Sequence, residues 1–115
     1  MHEFSLVASV IETVDESARQ AGATKVLKVS VVAGELTQVV EEAMNFAFEA
    51  LREGTCCADA ELELRFIEPR SRCADCGIEF THDAFHRKCP ACGSMFTEII
   101  AGRELYIDSI EAETP

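Results

Sequence analysis

The chain is poor in positive charge, and this limits the partners it can bind. Its 115 residues include 10 lysines and arginines against 21 aspartates and glutamates, so the formal net charge is −11 at neutral pH. Nucleic-acid phosphates and anionic lipids repel a protein of this sign. The composition therefore favours cationic partners and metal cations, and we expect binding to neither nucleic acid nor a membrane surface.

Long hydrophobic runs are also missing. No stretch approaches the roughly 20 consecutive apolar residues that a transmembrane helix needs. The first 16 residues carry four acidic side chains, where a secretory signal would need a basic region and then an apolar run. Because the cysteines are spaced as metal ligands, we expect a protein of the reducing cytoplasm.

Signatures of catalysis are absent as well. The sequence contains no GxSxG motif, no P-loop and no paired carboxylates in a recognisable catalytic context. Its many glutamates occur mostly at positions typical of solvated faces. We therefore expect a protein that is not an enzyme.

Two Cys-x-x-Cys pairs dominate what the sequence does contain. Each pair is followed by glycine, which permits the positive φ of a backbone that wraps around a metal. Four thiolates complete a tetrahedral shell, so we predict a structural Zn(II) site. Its ligands would be Cys73, Cys76, Cys89 and Cys92. The 12 residues between the pairs (77–88) are enough for a short hairpin.

These cysteines and their neighbours also admit uses other than zinc binding. A redox CxxC usually begins a helix in a βαβ unit, which the pattern does not show, whereas rubredoxin-type iron would use the same four thiolates. His82 and His86 lie between the pairs and could replace a thiolate or respond to pH, but four cysteines already suffice. Cys56 and Cys57 are adjacent, and we interpret them as loop or core thiols.

The chain begins Met1-His2-Glu3, which can form a second metal site. The terminal amine, the His2 amide nitrogen and one imidazole nitrogen can occupy three corners of a square plane, which suits Ni(II) or Cu(II). Because histidine is bulky, we expect Met1 to be retained. Glu3 could be a fourth ligand or a proton acceptor. The alternative is that His2 is an ordinary disordered terminal residue.

Hydrophobic periodicity predicts two helices, over residues 3–20 and 39–52. Strands are predicted over Lys25–Ala33, Glu61–Ile67 and Glu104–Glu111. We therefore expect an α+β fold, with two helices on a small three-stranded sheet and an inserted four-cysteine zinc ribbon.

The predicted domains follow from this insertion. Residues 1–68 would form an α/β body that binds nickel and is completed by a returning strand within 103–115, and residues 69–102 would form the zinc ribbon. If the ribbon is an enlarged hairpin tip, the two strands beside it pair antiparallel. A module inserted between two strands would also permit strand exchange between copies, and therefore a homodimer.

The initial Met1-His2-Glu3, the helix start Phe4-Ser5-Leu6 and the paired CxxC motifs together resemble the HypA/HybF family. Gly34-Glu35-Leu36 and the run FAFEALREGT at 46–55 are also similar to that family, and the match covers nearly the whole chain. The resemblance implies a nickel metallochaperone of [NiFe]-hydrogenase maturation. It implies delivery of Ni(II) to the hydrogenase large subunit in cooperation with the HypB GTPase, with nickel bound near Met1, His2 and Glu3.

One departure from the family pattern lies after Gly-Glu-Leu. Many members carry a Val-Asp-Pro-Glu-like stretch, whose aspartate can approach the nickel, but here Val40 stands at that position. Glu41 or Glu42 could compensate, although acidic residues also suit a helix N-terminus. A different class of function, a zinc-ribbon adaptor that binds protein or nucleic acid, would explain the cysteines equally well.

Overall fold

The computed structural model describes residues 2–114, which contain two α-helices, six strands and a 3₁₀ turn. In chain order these are α1 (Glu3–Gln20), β1 (Lys25–Gly34), the 3₁₀ turn (Glu35–Thr37), α2 (Glu41–Leu51), β2 (Glu61–Ile67), β3 (Arg70–Cys73), β4 (Glu79–Thr81), β5 (Thr97–Ala101) and β6 (Leu105–Glu113). The predicted α+β class, with two helices, small three-stranded sheets and a four-cysteine cluster, is confirmed.

Helix α1 forms because its apolar residues recur every three or four positions. The resulting buried stripe consists of Val7, Val10, Ile11, Val14 and Ala18. The helix ends where Gly22 adopts a φ of +70°. There the Ala23 amide donates to the Ala18 carbonyl at 2.8 Å and the Gly22 amide to Arg19 at 3.1 Å, the hydrogen-bond pair of a Schellman cap.

Helix α2 is shorter and also buries one side. Met44, Ala47 and Phe48 are buried, whereas Phe46 on another side of the same helix is exposed. Within residues 2–114, neither α1 nor α2 combines the length and the apolarity needed to cross a membrane.

The first sheet has the order β2-β1-β6. Strand β1 lies in the middle because its valines are buried along almost its whole length, including Val26, Val29, Val31 and Val32. Strand β2 instead alternates exposed charged residues with half-buried apolar ones, as edge strands do. The expected pairing of the two strands beside the cysteine segment is therefore wrong, because each of them pairs with β1.

The second sheet has the order β4-β3-β5, with β3 antiparallel to both neighbours. Strand β4 pairs directly with β3, and Arg72 lies opposite Glu79. The segment between the cysteine pairs, although long enough for a short hairpin, thus contributes a single strand within residues 77–88. The hairpin forms around the first cysteine pair instead, because the tight turn at Cys73–Gly77 returns the chain alongside β3.

Contacts divide the chain into two compact units. The body unit comprises the segment ending at Val32, residues Val39–Arg65 and the segment from Tyr106 onward. The cysteine unit comprises Ala33–Gln38 and Phe66–Leu105, so it contains both Cys-x-x-Cys pairs.

Candidate metal centre and amino terminus

The first cysteine pair lies in a tight turn at the end of β3. The Gly77 amide donates to the Cys73 carbonyl at 2.9 Å, and the Cys73 amide donates to the Ile78 carbonyl at 2.9 Å. Gly77 has a φ of +81°, which glycine adopts without the strain that a Cβ would add. The Cys76 amide also points at the Cys73 sulfur, 3.4 Å away.

The second pair repeats this geometry. The Gly93 amide donates to the Cys89 carbonyl at 2.9 Å, and the Cys89 amide donates to the Ser94 carbonyl at 2.9 Å. Gly93 has a φ of +76°. The same spacing therefore produces the same backbone turn twice, each presenting two sulfurs on one side.

The two turns bring their four sulfurs together. The Sγ atoms of Cys73, Cys76, Cys89 and Cys92 all lie within 4.8 Å of one another. Across the turns, Cys73 and Cys92 are 3.5 Å apart and Cys76 and Cys89 are 3.6 Å apart. A tetrahedral ion with metal–sulfur bonds of about 2.3 Å separates its sulfurs by about 3.8 Å, so this donor set fits a Cys₄ zinc ion.

The thiols of the cluster differ in acidity. The hydrogen bond from the Cys76 amide is the main reason why the pKa of Cys73 falls to about 6. Burial raises the pKa of Cys89, but hydrogen bonds from the Cys92 and Ala91 amides outweigh it, so that pKa is lowered. The Ser94 amide favours the Cys92 thiolate, yet hydrogen bonding with Cys73 and burial raise the pKa of Cys92 to about 12.

The pKa of Cys76 is also raised. A hydrogen bond from the Ile78 amide lowers it, but burial and the hydrogen bonds with Cys89 and Cys73 outweigh that contribution. Four thiolates in so small a volume repel one another. A divalent cation would supply the positive charge that lets all four ionise.

The two histidines of the cysteine unit lie outside this sulfur cluster. His82 Nδ1 is 2.6 Å from the Asp83 carbonyl oxygen, which can only accept, so Nδ1 donates. In the neutral imidazole, His82 Nε2 then accepts from the hydroxyl of the fully buried Ser71 at 2.7 Å. His86 is largely exposed, and its Nδ1 lies 2.7 Å from an Asp83 carboxylate oxygen. The His86 side chain is the largest cause of a lowered pKa of the Asp83 carboxyl, and the amides of Phe85 and His86, which donate to the same carboxylate, lower it further.

The adjacent cysteines after α2 belong to the body unit. Cys57 is buried, and its sulfur lies 4.0 Å from that of Cys56. Burial, followed by the neighbouring Asp15 carboxylate, raises the pKa of Cys56 to about 12. Both therefore remain protonated thiols at neutral pH, as expected of loop and core positions.

The predicted nickel site falls partly outside the described residues, since Met1 is not among them. His2 is exposed and caps α1, and its carbonyl accepts a hydrogen bond from the Leu6 amide at 3.1 Å. The Glu3 carboxylate accepts a hydrogen bond from the Val40 amide at 3.3 Å. A hydrogen bond from the Glu3 backbone amide is the largest cause of a lowered pKa of the Glu3 carboxyl, which is therefore ionised at neutral pH.

This last contact joins the start of α1 to the start of α2. No sequence pattern predicts this contact, because Glu3 and Val40 are 37 positions apart. The backbone of Val40 therefore lies beside the Glu3 carboxylate. Glu41 and Glu42 follow in the first turn of α2.

Comparisons with known proteins agree over almost the entire chain. Residues 1–112 match the family model described as HypA, hydrogenase/urease nickel incorporation, metallochaperone. The hydrogenase maturation factor HypA of Moorella thermoacetica is 41% identical over 113 residues, covering 98% of this chain and 100% of the relative. The HypA factor of Aquifex aeolicus is 37% identical, covering 98% of both.

Solved structures give the same result. The solution structure of the Ni metallochaperone HypA from Helicobacter pylori has a TM-score of 0.71 and 32% identity, covering 100% of both chains. A second solution structure of a HypA protein has a TM-score of 0.76 and 32% identity, covering 100% of this chain and 98% of the other.

Proposed function

The chain belongs to the HypA family of nickel-incorporation metallochaperones, which serve hydrogenase maturation and are not enzymes, and from this premise we propose how it carries its metal. Ni(II) is the cargo, bound in a square plane by the Met1 amine and by the amide and imidazole nitrogens of His2. Support comes from His2, which is exposed at the start of α1 and so accessible to an incoming ion. Square-planar nitrogen donors suit Ni(II) and do not suit Zn(II).

In the proposed site, the Glu3 carboxylate is a fourth ligand or a proton acceptor. Its hydrogen bond with the Val40 amide keeps a negative charge beside His2. Transfer then occurs by ligand exchange, because acceptor ligands can approach an open chelate at the end of the chain. The four cysteines hold Zn(II) as a closed structural site, and residues 69–102 form the zinc domain.

The partners follow from the same premise. We propose that the chain works in the cytoplasm with a HypB-like GTPase and the [NiFe]-hydrogenase large subunit, with neither nucleic acid nor membrane as a partner. A homodimer formed by strand exchange is a further expectation. The zinc-ribbon adaptor is the weaker alternative, because it leaves the family match over residues 1–112 unexplained.

Equilibrium dialysis of the untagged protein against Ni(II) tests the nickel site. We expect stoichiometric binding by the wild type and a severe loss in His2→Ala. His86→Ala is the matched control, because His86 is an exposed histidine of the cysteine unit and its loss leaves the amino terminus intact.

Extending the chain by one residue before Met1 provides a second test, because it displaces the terminal amine without touching a side chain. Undiminished nickel binding in both the extended chain and His2→Ala would contradict the proposed chelate. Elemental analysis of the same sample distinguishes zinc from iron in the cysteine cluster.

A further inference from the structure

Two exposed aromatic rings, one at the start of α1 and one in the middle of α2, are in contact with each other. The centroids of Phe4 and Phe46 are 5.9 Å apart, and the rings meet edge to face at 75°. Phe46 is 66% exposed and Phe4 48%. Val40, at the start of α2, is 54% exposed and is tied to α1 through Glu3. Single exposed apolar residues are ordinary, but a contiguous group of them is typical of an interaction surface.

A mostly apolar cavity lies farther along α1, between α1 and the end of α2. Ala8 lies one helical turn beyond Phe4 and lines a cavity of about 260 Å³, together with Ile11 and Leu51. Glu12, Asp15 and Thr55 form the rest of its lining. We call this surface, from Phe4 and Phe46 to Asp15, the helix groove. At 1.5 Å per residue its α1 side is about 17 Å long, which matches about three turns of a helix.

The rim of the helix groove carries one sign of charge. The sequence has no lysine or arginine in residues 1–18 or 29–51. Arg19 is the single basic residue of the two helices, and it lies near the far end of α1, beside Glu16. Glu12 and Asp15 face the groove itself, and the first turn of α2, next to Val40, adds Glu41 and Glu42.

We propose that the helix groove docks an amphipathic, positively charged helix of a partner protein. Its apolar side would cover Phe4, Phe46 and the cavity by Ala8 and Leu51, and its lysines or arginines would face the acidic rim. Charge complementarity selects this partner, because an anionic segment would be repelled along the whole groove. The docked helix would lie beside the amino terminus, although docking itself does not require nickel.

A synthetic peptide tests the proposal without knowledge of the natural partner. The probe is a fluorescent 14-residue helix of lysine and leucine with the two residue types on opposite sides, and its shuffled isomer separates amphipathic docking from charge attraction alone. Fluorescence anisotropy is measured at physiological salt with and without Ni(II). We expect the amphipathic peptide to bind about tenfold more tightly than the isomer.

Variants locate the binding. Phe46→Ser, at an exposed position that spares the core, should weaken binding at least about fivefold, and Glu12→Lys should weaken it by repulsion. Phe85→Ser is the matched control, since Phe85 is an 86% exposed aromatic residue of the cysteine unit, and it should bind as the wild type does. Amide shifts in NMR spectra should cluster at Ala8, Ile11 and Phe46.

Three results would overturn the proposal. Equal binding of both peptides would show that charge attraction alone accounts for the binding. Unchanged binding by Phe46→Ser would show that the peptide contacts another part of the surface. A wild-type dimer that Phe46→Ser converts to a monomer would show that a second copy of the chain fills the helix groove. The dialysis experiment with His2→Ala is independent of all three, so the nickel proposal and this one can fail separately.

Discussion

At the scale of single residues, the cysteine cluster is poised to release protons when it binds a metal. Amide hydrogen bonds place the pKa of Cys73 at about 6, so this thiol is already ionised at neutral pH. The pKa values of Cys76 and Cys92 are raised, that of Cys92 to about 12, so both keep their protons. Zinc coordination needs all four thiolates.

Zinc uptake by the apo protein near pH 7.5 should therefore release about two to three protons rather than four. Calorimetry in buffers of different ionisation enthalpy measures this number. As the pH falls through about 6, Cys73 also becomes protonated, so protons compete more strongly and zinc affinity should drop more steeply with pH. Release of four protons at pH 7.5 would contradict the acidity pattern.

The residues of the candidate metal site could be predicted because their chemistry is encoded locally. Two residues between thiols and a following glycine define each turn, whatever the rest of the chain does. The contact between Ser71 and His82 could not be predicted in this way. It depends on how β3 and β4 align, and no spacing rule relates a serine to a histidine 11 positions later.

At the scale of helices and strands, periodicity predicted the two helices well because each buries one stripe. The observed α1 spans Glu3–Gln20 as expected, and α2 is slightly shorter than expected. Strand pairing is harder to predict, because alternating apolar and polar residues identify a half-buried strand but do not indicate which strand pairs with it. In the structure, the second half of β1 is buried on both sides, at Val31, Val32, Ala33 and Gly34, and such a strand belongs in the middle of a sheet.

The end of β1 also makes a close backbone contact that admits only glycine. A Cβ on Gly34 would collide with the Gly102 carbonyl oxygen and lie 2.6 Å from the Arg103 nitrogen. The chain is fixed there, because the Gly34 amide donates to the Glu104 carbonyl at 2.6 Å and the Leu36 amide donates to Gly102 at 2.8 Å. Backbone atoms cannot rotate away as a flexible side chain would.

Gly34→Ala should therefore lower the free energy of unfolding by about 2 kcal/mol or more. Gly54→Ala is the reference, because Gly54 has a φ of +76° but open space around it. This variant should lose about 1 kcal/mol of unfolding free energy. Urea denaturation of both variants provides the comparison. Equal losses would show that the contact at Gly34 relaxes without strain.

At the scale of the whole molecule, the two units differ in what is buried. The body unit encloses a large apolar set from α1, β1 and α2, among them Val14, Val29 and Met44. In the cysteine unit, the fully buried side chains include Ser71, Pro69 and Cys73, with Cys89 almost as buried. An apolar core stabilises the first unit, whereas the second relies on whatever holds its sulfurs together.

Removal of the metal should consequently unfold one unit and spare the other. After treatment with a strong zinc chelator and a thiol reductant, we expect the amides of Cys73 and Cys89 to lose protection from hydrogen exchange, because their acceptors Ile78 and Ser94 belong to the metal-bound turns. The amides of Val14 and Met44 should stay protected, and the circular dichroism of the helices at 222 nm should persist. Both helices pack through apolar stripes, and no cysteine of the cluster belongs to these stripes. Loss of the helical signal together with the metal would therefore contradict this division of stability.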